Sequence, residues 1–138
     1  MPLALLDTGV YIRSWIDASW WDAFDRTLRP FIVRLSSVVL SELRRGAVAV
    51  AARRRVDQLR RAAAEIWAPS DSDWWKAGVV LAKLGEQHGF DAAGKRRIQN
   101  DVLIALLARR HGARVVTTDR VDFERINGLV TGLRVTFV

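Results

Sequence analysis

The run Val102-Leu103-Ile104-Ala105-Leu106-Leu107-Ala108 is apolar without a break and is bounded by Arg97 on one side and Arg109-Arg110 on the other. It reads as a helix, and a helix apolar all round must be covered all round. The chain must therefore supply other elements to pack on both sides of it. At the lip of this helix stands a carboxylate, Asp101, with Ala105 and Ala108 four and seven residues further along the same face. Small residues there let the helix approach a sheet closely, and the acid is carried to the edge of that contact.

Short β-prone segments alternate with helical ones along the rest of the chain. Leu3 to Leu6 reads as a strand ending in Asp7-Thr8-Gly9, a helix start. Helical patches follow through Tyr11 to Ile16 and from Ser19 to about Leu28. Phe31 to Ser36 reads as a second strand. Ser36 or Ser37 caps a helix stopped near Gly46, and an Ala- and Arg-rich helix is expected from Ala47 to Ile66. Trp67-Ala68-Pro69 is a short strand or a turn. Ser70 and Asp73 form a capping-box pattern for a helix to His88, and Phe90 to Lys95 reads as a loop. After the apolar helix, Ala113 to Asp119 reads as a strand, DRVDFERIN as a short helix and LRVTFV as a terminal strand. Strands alternating with helices argue for an α/β fold around a mainly parallel sheet, and 138 residues fit a single domain spanning 1–138.

Four acids fall at element ends that such a sheet brings to one edge. Ligands of open parallel sheets gather beyond the carboxyl ends of the strands. Asp7 and Asp119 each follow a strand, Glu42 lies within two turns of the start of the helix leaving strand two, and Asp101 is expected in the first turn of its helix. Asp122 shares a helical face with Asp119. Carboxylates crowded into one partly dry pocket must take up protons or hold cations, and an all-oxygen donor set suits Mg²⁺ or Mn²⁺. Each acid also has a plainer reading. Asp7 and Asp119 serve as helix caps, Asp101 complements a helix dipole, and Glu42 pairs with Arg45 at a surface. Four such roles converging on one edge are less expected than any one of them.

Charge is the next constraint. Lys and Arg number 22 against 15 acids, a net of +7, and 19 of the 22 are Arg, whose planar fork suits phosphate. A polyanionic partner is one reading, and Arg-rich solvated helix faces are the other. Seven arginines lie between Arg44 and Arg61. Among them Arg44, Arg45, Arg53 and Arg54 are candidates for an RNA backbone contact or a partner-facing patch, against the alternative of a solvated face. Arg97 stands one turn before Asp101, where it neutralises that acid or meets a phosphate. In Trp20-Trp21 and Trp74-Trp75 both rings of a pair cannot share one core stripe, which leaves an interface, cover under a loop, or base stacking for the second ring. His88 and His111 each precede a glycine at a helix end, where a cation complements the dipole.

The absence of cysteine removes disulfides, thiolate zinc sites and cysteine nucleophiles, and suits a reducing cytosol. The apolar stretch before Asp7 is too short for a signal peptide or a membrane span, so a cytoplasmic protein without membrane contact is expected. A phosphorelay receiver, which also pairs acids with Mg²⁺, wants two adjacent acids after strand one and a lysine after a late strand. LLDTG offers one acid, and Lys occurs only at 76, 83 and 95.

The ordered set LLDTGVYI, SSVVLSELRRG and QNDVLIALLARRHGARVVTTDRVDFERI closely resembles the PIN-domain family, in particular its VapC-like toxin ribonucleases, over nearly the whole chain. The stretch from Ala47 to Gly94 carries no such motif. The resemblance implies an α/β/α sandwich with a central parallel sheet. It also implies catalytic acids at Asp7, Glu42, Asp101 and Asp119, with Asp7, Asp101 and Asp119 holding Mg²⁺ or Mn²⁺ for RNA hydrolysis. Thr118 matches a hydroxyl residue that supports the acidic site, Thr8 matches a recurrent Ser or Thr, and Asp122 matches a recurring acid before Phe. A homodimer and a cognate antitoxin peptide that blocks the acidic groove are implied as partners. The alternatives are a PIN nuclease of RNA processing without a toxin role, and a catalytically silent module that binds RNA or a partner.

Overall fold

The computed structural model describes residues 1–138. In chain order the elements are β1 (Leu3–Leu6), α1 (Thr8–Ile16), α2 (Ala18–Leu28), β2 (Ile32–Ser36), α3 (Ser37–Gly46), α4 (Val50–Ala62), β3 (Ile66–Trp67), α5 (Asp71–His88), α6 (Ala92–Arg110), β4 (Arg114–Thr117), α7 (Arg120–Asn127) and β5 (Val135–Phe137). The five strands form one sheet in the order β3-β2-β1-β4-β5, and every pairing is parallel. Helices cover both faces, giving the α/β/α sandwich. No helix is long and apolar enough to cross a membrane.

The period-two alternation of strand side chains explains the two layers. Leu5 and Val115, paired in register, join the larger core with Leu103, Leu106, Leu107, Phe123 and Ile126. Ala4, Leu6 and Val116 face the other way, onto Val10, Phe24 and Leu28 of α1 and α2. Every residue from Val102 to Ala108 is buried, as an all-round apolar helix requires. Burying each such Leu or Ile contributes about 1.5–3 kcal/mol before conformational entropy is counted.

Three boundaries differ from the sequence expectation. The segment Phe90 to Lys95 is mostly helical: Asp91 caps α6 by accepting a hydrogen bond from the Gly94 amide at 2.7 Å, so α6 begins at Ala92. Asp101 is therefore the tenth residue of its helix rather than a first-turn acid, and the helix dipole does not account for it. The expected helix from Ala47 to Ile66 is shorter. Ala47 closes α3, and Ile66–Trp67 is drawn into the sheet by pairing with Leu35 and Ser36. The capping box at Ser70 and Asp73 forms as expected.

The fold fixes where a site must lie. β1 is the first strand, and the chain builds outward from it to β2 and β3 on one side, then returns to β4 and β5 on the other. The reversal falls between β1 and β4, and the crevice beyond their carboxyl ends is where such sheets bind ligands.

Candidate active site

Asp7 and Thr117 end the two central strands at this reversal. The Asp7 amide donates to the Val116 carbonyl at 2.9 Å, which continues the β1–β4 ladder one residue past the Leu6–Val116 pair. That register sets the Thr117 hydroxyl against Asp7, where it donates to Oδ2 at 2.9 Å. The other oxygen, Oδ1, accepts from the Thr8 amide at 2.8 Å, so Asp7 is the N-cap of α1 as well. Thr117 oxygen also accepts from the Asp119 amide at 3.0 Å, tying the loop after β4 to the same point.

Asp119 caps α7 by accepting from the Asp122 amide at 3.1 Å. Capping and site membership are thus two roles of one side chain, for Asp7 and Asp119 alike. Glu42 reaches the site from α3 and accepts from the Thr8 hydroxyl at 2.9 Å, a contact that links residues 34 apart. Its partner is Thr8, and the surface pair with Arg45 does not form. Asp101 enters from the middle of α6, on the face shared with the fully buried Ala105 and Ala108.

Asp101, Asp119 and Asp122 each present a carboxylate oxygen, and these three oxygens lie within 4.8 Å of one another. The tightest trio therefore contains Asp122 in the place expected for Asp7. The reason is local. Asp122 sits one turn from Asp119 on α7, whereas both Asp7 oxygens are turned toward Thr8 and Thr117. Asp122 is buried and its Oδ2 accepts from Arg97 at 2.7 Å, so Arg97 pairs directly with Asp122, while the charges of Asp101 and Asp119 also act on it.

The electrostatics follow from this crowding. Burial, then the charges of Asp7, Glu42, Asp119 and Asp122, push the Asp101 carboxyl up to about 8. Burial also raises Asp7, against the hydrogen bonds from Thr117 and Thr8 that favour its charged form, with Glu42 and Asp119 adding to the rise. Asp119 is raised by burial and by the neighbouring Asp122 charge. Only one cation, Arg97, is paired with this group of five acids. An all-oxygen donor set with unbalanced negative charge fits a hard divalent cation, which would offset the burial and the repulsion that together favour a proton on Asp101.

No local sequence pattern singles out Thr117. The hydroxyl bonded to Asp7 is that of Thr117, and the expected Thr118 instead lies against Gly9, where an added Cβ would meet its Oγ1 at 3.1 Å. Arg44, Arg45, Arg53 and Arg54 are all exposed, and Arg53 spends one N–H on the Ala47 carbonyl at 3.3 Å. Trp20 stacks on Phe24 with centroids 4.6 Å apart, Trp21 is partly exposed beside the same ring, and both Trp74 and Trp75 are exposed. His111 stacks on Trp67 at 3.9 Å, and burial with the adjacent Arg110 charge lowers it below the ordinary histidine range. Both effects disfavour the charged form that a helix end would attract.

Comparison with known proteins agrees with this architecture. Among curated proteins none matches. The chain is similar to VapBC2 of Rickettsia felis, solved bound to a DNA fragment from its promoter, with 21% identity and a TM-score of 0.70 over 99% of this chain and 98% of that one. DNA-bound VapBC of Salmonella typhimurium gives 23% identity and a TM-score of 0.69 over 99% and 98%. VapBC-5 of Mycobacterium tuberculosis, from a toxin–antitoxin family, gives 24% and 0.67 over 99% and 100%. At these identities the likeness is one of fold. The PIN domain family model matches residues 4–129, nearly the whole sandwich with every acid described above, and the chain belongs to the PIN domain family.

Proposed function

We propose that the protein is a divalent-cation-dependent endoribonuclease, a VapC-like toxin restrained by a cognate antitoxin. The observation that carries this reading is the convergence of Asp101, Asp119 and Asp122 oxygens within 4.8 Å, beside Asp7 and Glu42, at the strand-order reversal. Bound Mg²⁺ or Mn²⁺ would acidify water and offset the negative charge that grows on a phosphodiester under attack. Asp7, Asp101 and Asp119 are assigned to hold the cation, with Asp122 beside them. Thr117 orients Asp7 by donating to Oδ2, and that hydrogen bond favours the charged form against the effect of burial. Thr8 occupies Glu42 Oε1, leaving Oε2 to orient the attacking water and accept its proton. A new P–O bond forms to that water, the P–O bond to the leaving sugar oxygen breaks, and the proton passes to the leaving oxygen. Arg97, fixed by Asp122, keeps N–H groups for a phosphate oxygen, and Arg44, Arg45, Arg53 and Arg54 extend a basic surface for the RNA backbone.

A protein partner is supported by an apolar groove of about 250 Å³ that runs between α1 and the α3–α4 turn, with Glu42 among its lining. Ile12 and Ile16 stand exposed on it beside Trp15, Leu43, Ala47 and Val56. An amphipathic segment of an antitoxin seated there would reach the acids. A second copy of the chain is assigned to the exposed Trp74, Trp75 and Val79 face of α5.

The test is RNA cleavage by purified protein with Mg²⁺ or Mn²⁺, with and without the product of a neighbouring antitoxin gene. Asp7→Asn or Asp101→Asn is expected to abolish cleavage and to relieve growth arrest while the protein stays folded. Undiminished cleavage by the double variant would remove the assigned site.

A further inference from the structure

Beyond Arg97, the end of α5 and the outer face of α7 enclose a second hollow of about 440 Å³. Gln87, His88, Val121, Glu124, Arg125 and Leu129 line it, and only Val121 and Leu129 are apolar. Val121 is 63% exposed although it sits in the first turn of α7 next to the buried Asp122. Arg125 forms no ion pair, whereas its neighbour Glu124 is engaged by Arg120 at 3.1 Å.

The hollow is joined to the acids by a chain of contacts. Asp122 and Arg125 lie three residues apart on α7, one turn, or about 5 Å along the axis. The Arg125 guanidinium lies 5.5 Å from the Phe90 ring centre, and that of Arg97 lies 5.9 Å from the same ring. Arg97 in turn donates to Asp122 at 2.7 Å. Phe90 thus lies between the hollow and the acidic cluster in this chain of contacts, within cation–π reach of both guanidinium groups.

We propose that this hollow is a nucleobase pocket for the nucleotide next to the scissile phosphate of single-stranded RNA. The proposal rests on the ribonuclease reading given above. With the scissile phosphate at the acids, the adjoining phosphate meets Arg97 and Arg125, and its base turns onto Val121 and Leu129. The Gln87 amide, which offers both a donor and an acceptor, reads the base edge. An unpaired base is required, because only a splayed-out base presents its face and its hydrogen-bonding edge together. The pocket therefore confers sequence preference, and excludes duplex RNA.

Two measurements test this. In the first, a randomised single-stranded RNA library is cut by the wild type, Gln87→Ala and Arg125→Gln, and the new ends are sequenced. The wild type is expected to prefer one base beside the cut, and Gln87→Ala to flatten that preference about tenfold, the scale of one lost hydrogen bond. A cutting profile identical in all three proteins overturns the pocket and leaves the nuclease reading intact. In the second, fluorescent single-stranded tetraribonucleotides of differing sequence are titrated in EDTA and followed by anisotropy. Base-dependent affinity lost in Gln87→Ala upholds the pocket, and affinity indifferent to base or to the substitution overturns it. Should the wild type cut no RNA with either cation, the nuclease reading falls and the anisotropy result alone decides the hollow.

Discussion

Thr117 donates its hydroxyl hydrogen to Asp7 Oδ2 at 2.9 Å although the two residues are 110 apart in the chain. The contact exists because β1 and β4 are neighbours in register, and both groups are buried. The same hydroxyl oxygen accepts from the Asp119 amide, so one side chain sets the spacing between two acids on different elements.

Thr117→Ala is therefore expected to reduce cation-dependent cleavage by about 10–100-fold, the usual cost of losing a group that orients a metal-binding carboxylate. It should also lower stability by about 1–2 kcal/mol, since the Asp119 amide loses its acceptor. Thr117→Ser keeps the hydroxyl and should retain most of the activity. Cleavage rates and urea midpoints for the two variants decide this, and equal activity in Ala and Ser would remove Thr117 from the site.

Asp101 makes a signed prediction about pH. Its carboxyl is pushed up to about 8 in the fold, against about 4 in an unfolded chain. Between those values the native state binds a proton that the unfolded state does not, so the cation-free protein loses stability as pH rises from about 4 to 8. The slope from this one group reaches at most about 1.4 kcal/mol per pH unit. Urea unfolding in EDTA at pH 5 and pH 8 should show the fall, and Mg²⁺ should reduce it most at pH 8. Asp101→Asn should flatten the slope and raise stability at pH 8, where the natural carboxylate is charged and crowded.

Asp7 and Asp119 were readable because each follows a short β-prone run, and strand ends of a parallel sheet share an edge. The choice between Thr117 and Thr118 was not. Adjacent residues point to opposite sides, and only the cross-strand register, which no local pattern records, shows which hydroxyl meets Asp7. Gly89 and Gly94 disguised the start of α6. Gly89 does end α5 with φ +70°, but Gly94 lies inside the next helix and its amide feeds the Asp91 cap. Glu42 was found by its place in α3, yet its partner Thr8 is a tertiary contact that a surface pairing rule with Arg45 could not supply. The apolar run of α6 was the most readable part, since burial on all sides leaves no choice of face.

Arg110 anchors the other end of α6, and here the pH effect has the opposite sign. Asp73 is buried and would be raised by that burial, but the Ser70 amide and the Arg110 guanidinium hold it below the ordinary carboxylate range. Its stabilising contribution is present above about pH 4 and is lost as pH falls below that. Arg110→Met removes the 3.0 Å bond to Asp73 and the 3.2 Å bond to the Ala68 carbonyl. The expected cost is about 1.5–3 kcal/mol at pH 7, shrinking toward pH 3, with no change in cation dependence because Asp73 is not one of the clustered acids. Thermal unfolding of the variant across pH 3–7 checks both parts.

Gly9 and Thr118 are sterically coupled beside the site. Gly9 is the second residue of α1, and a Cβ there would come within 3.1 Å of Thr118 Oγ1, in the loop between β4 and Asp119. Gly9→Ala alone gains about 0.5–1 kcal/mol of helix preference but pushes that loop outward by a few tenths of an ångström. The displacement carries Asp119 away from Asp101, so cleavage should fall several-fold with little change in unfolding midpoint. In Thr118→Ala the obstructing oxygen is gone, and adding Gly9→Ala should then raise stability by the full helix term. A double-mutant cycle reads the difference: coupling of about 0.5 kcal/mol or more between positions 9 and 118 is expected in stability, with recovery of activity in the double variant. Additive effects within about 0.3 kcal/mol would show that the loop does not rest on Gly9.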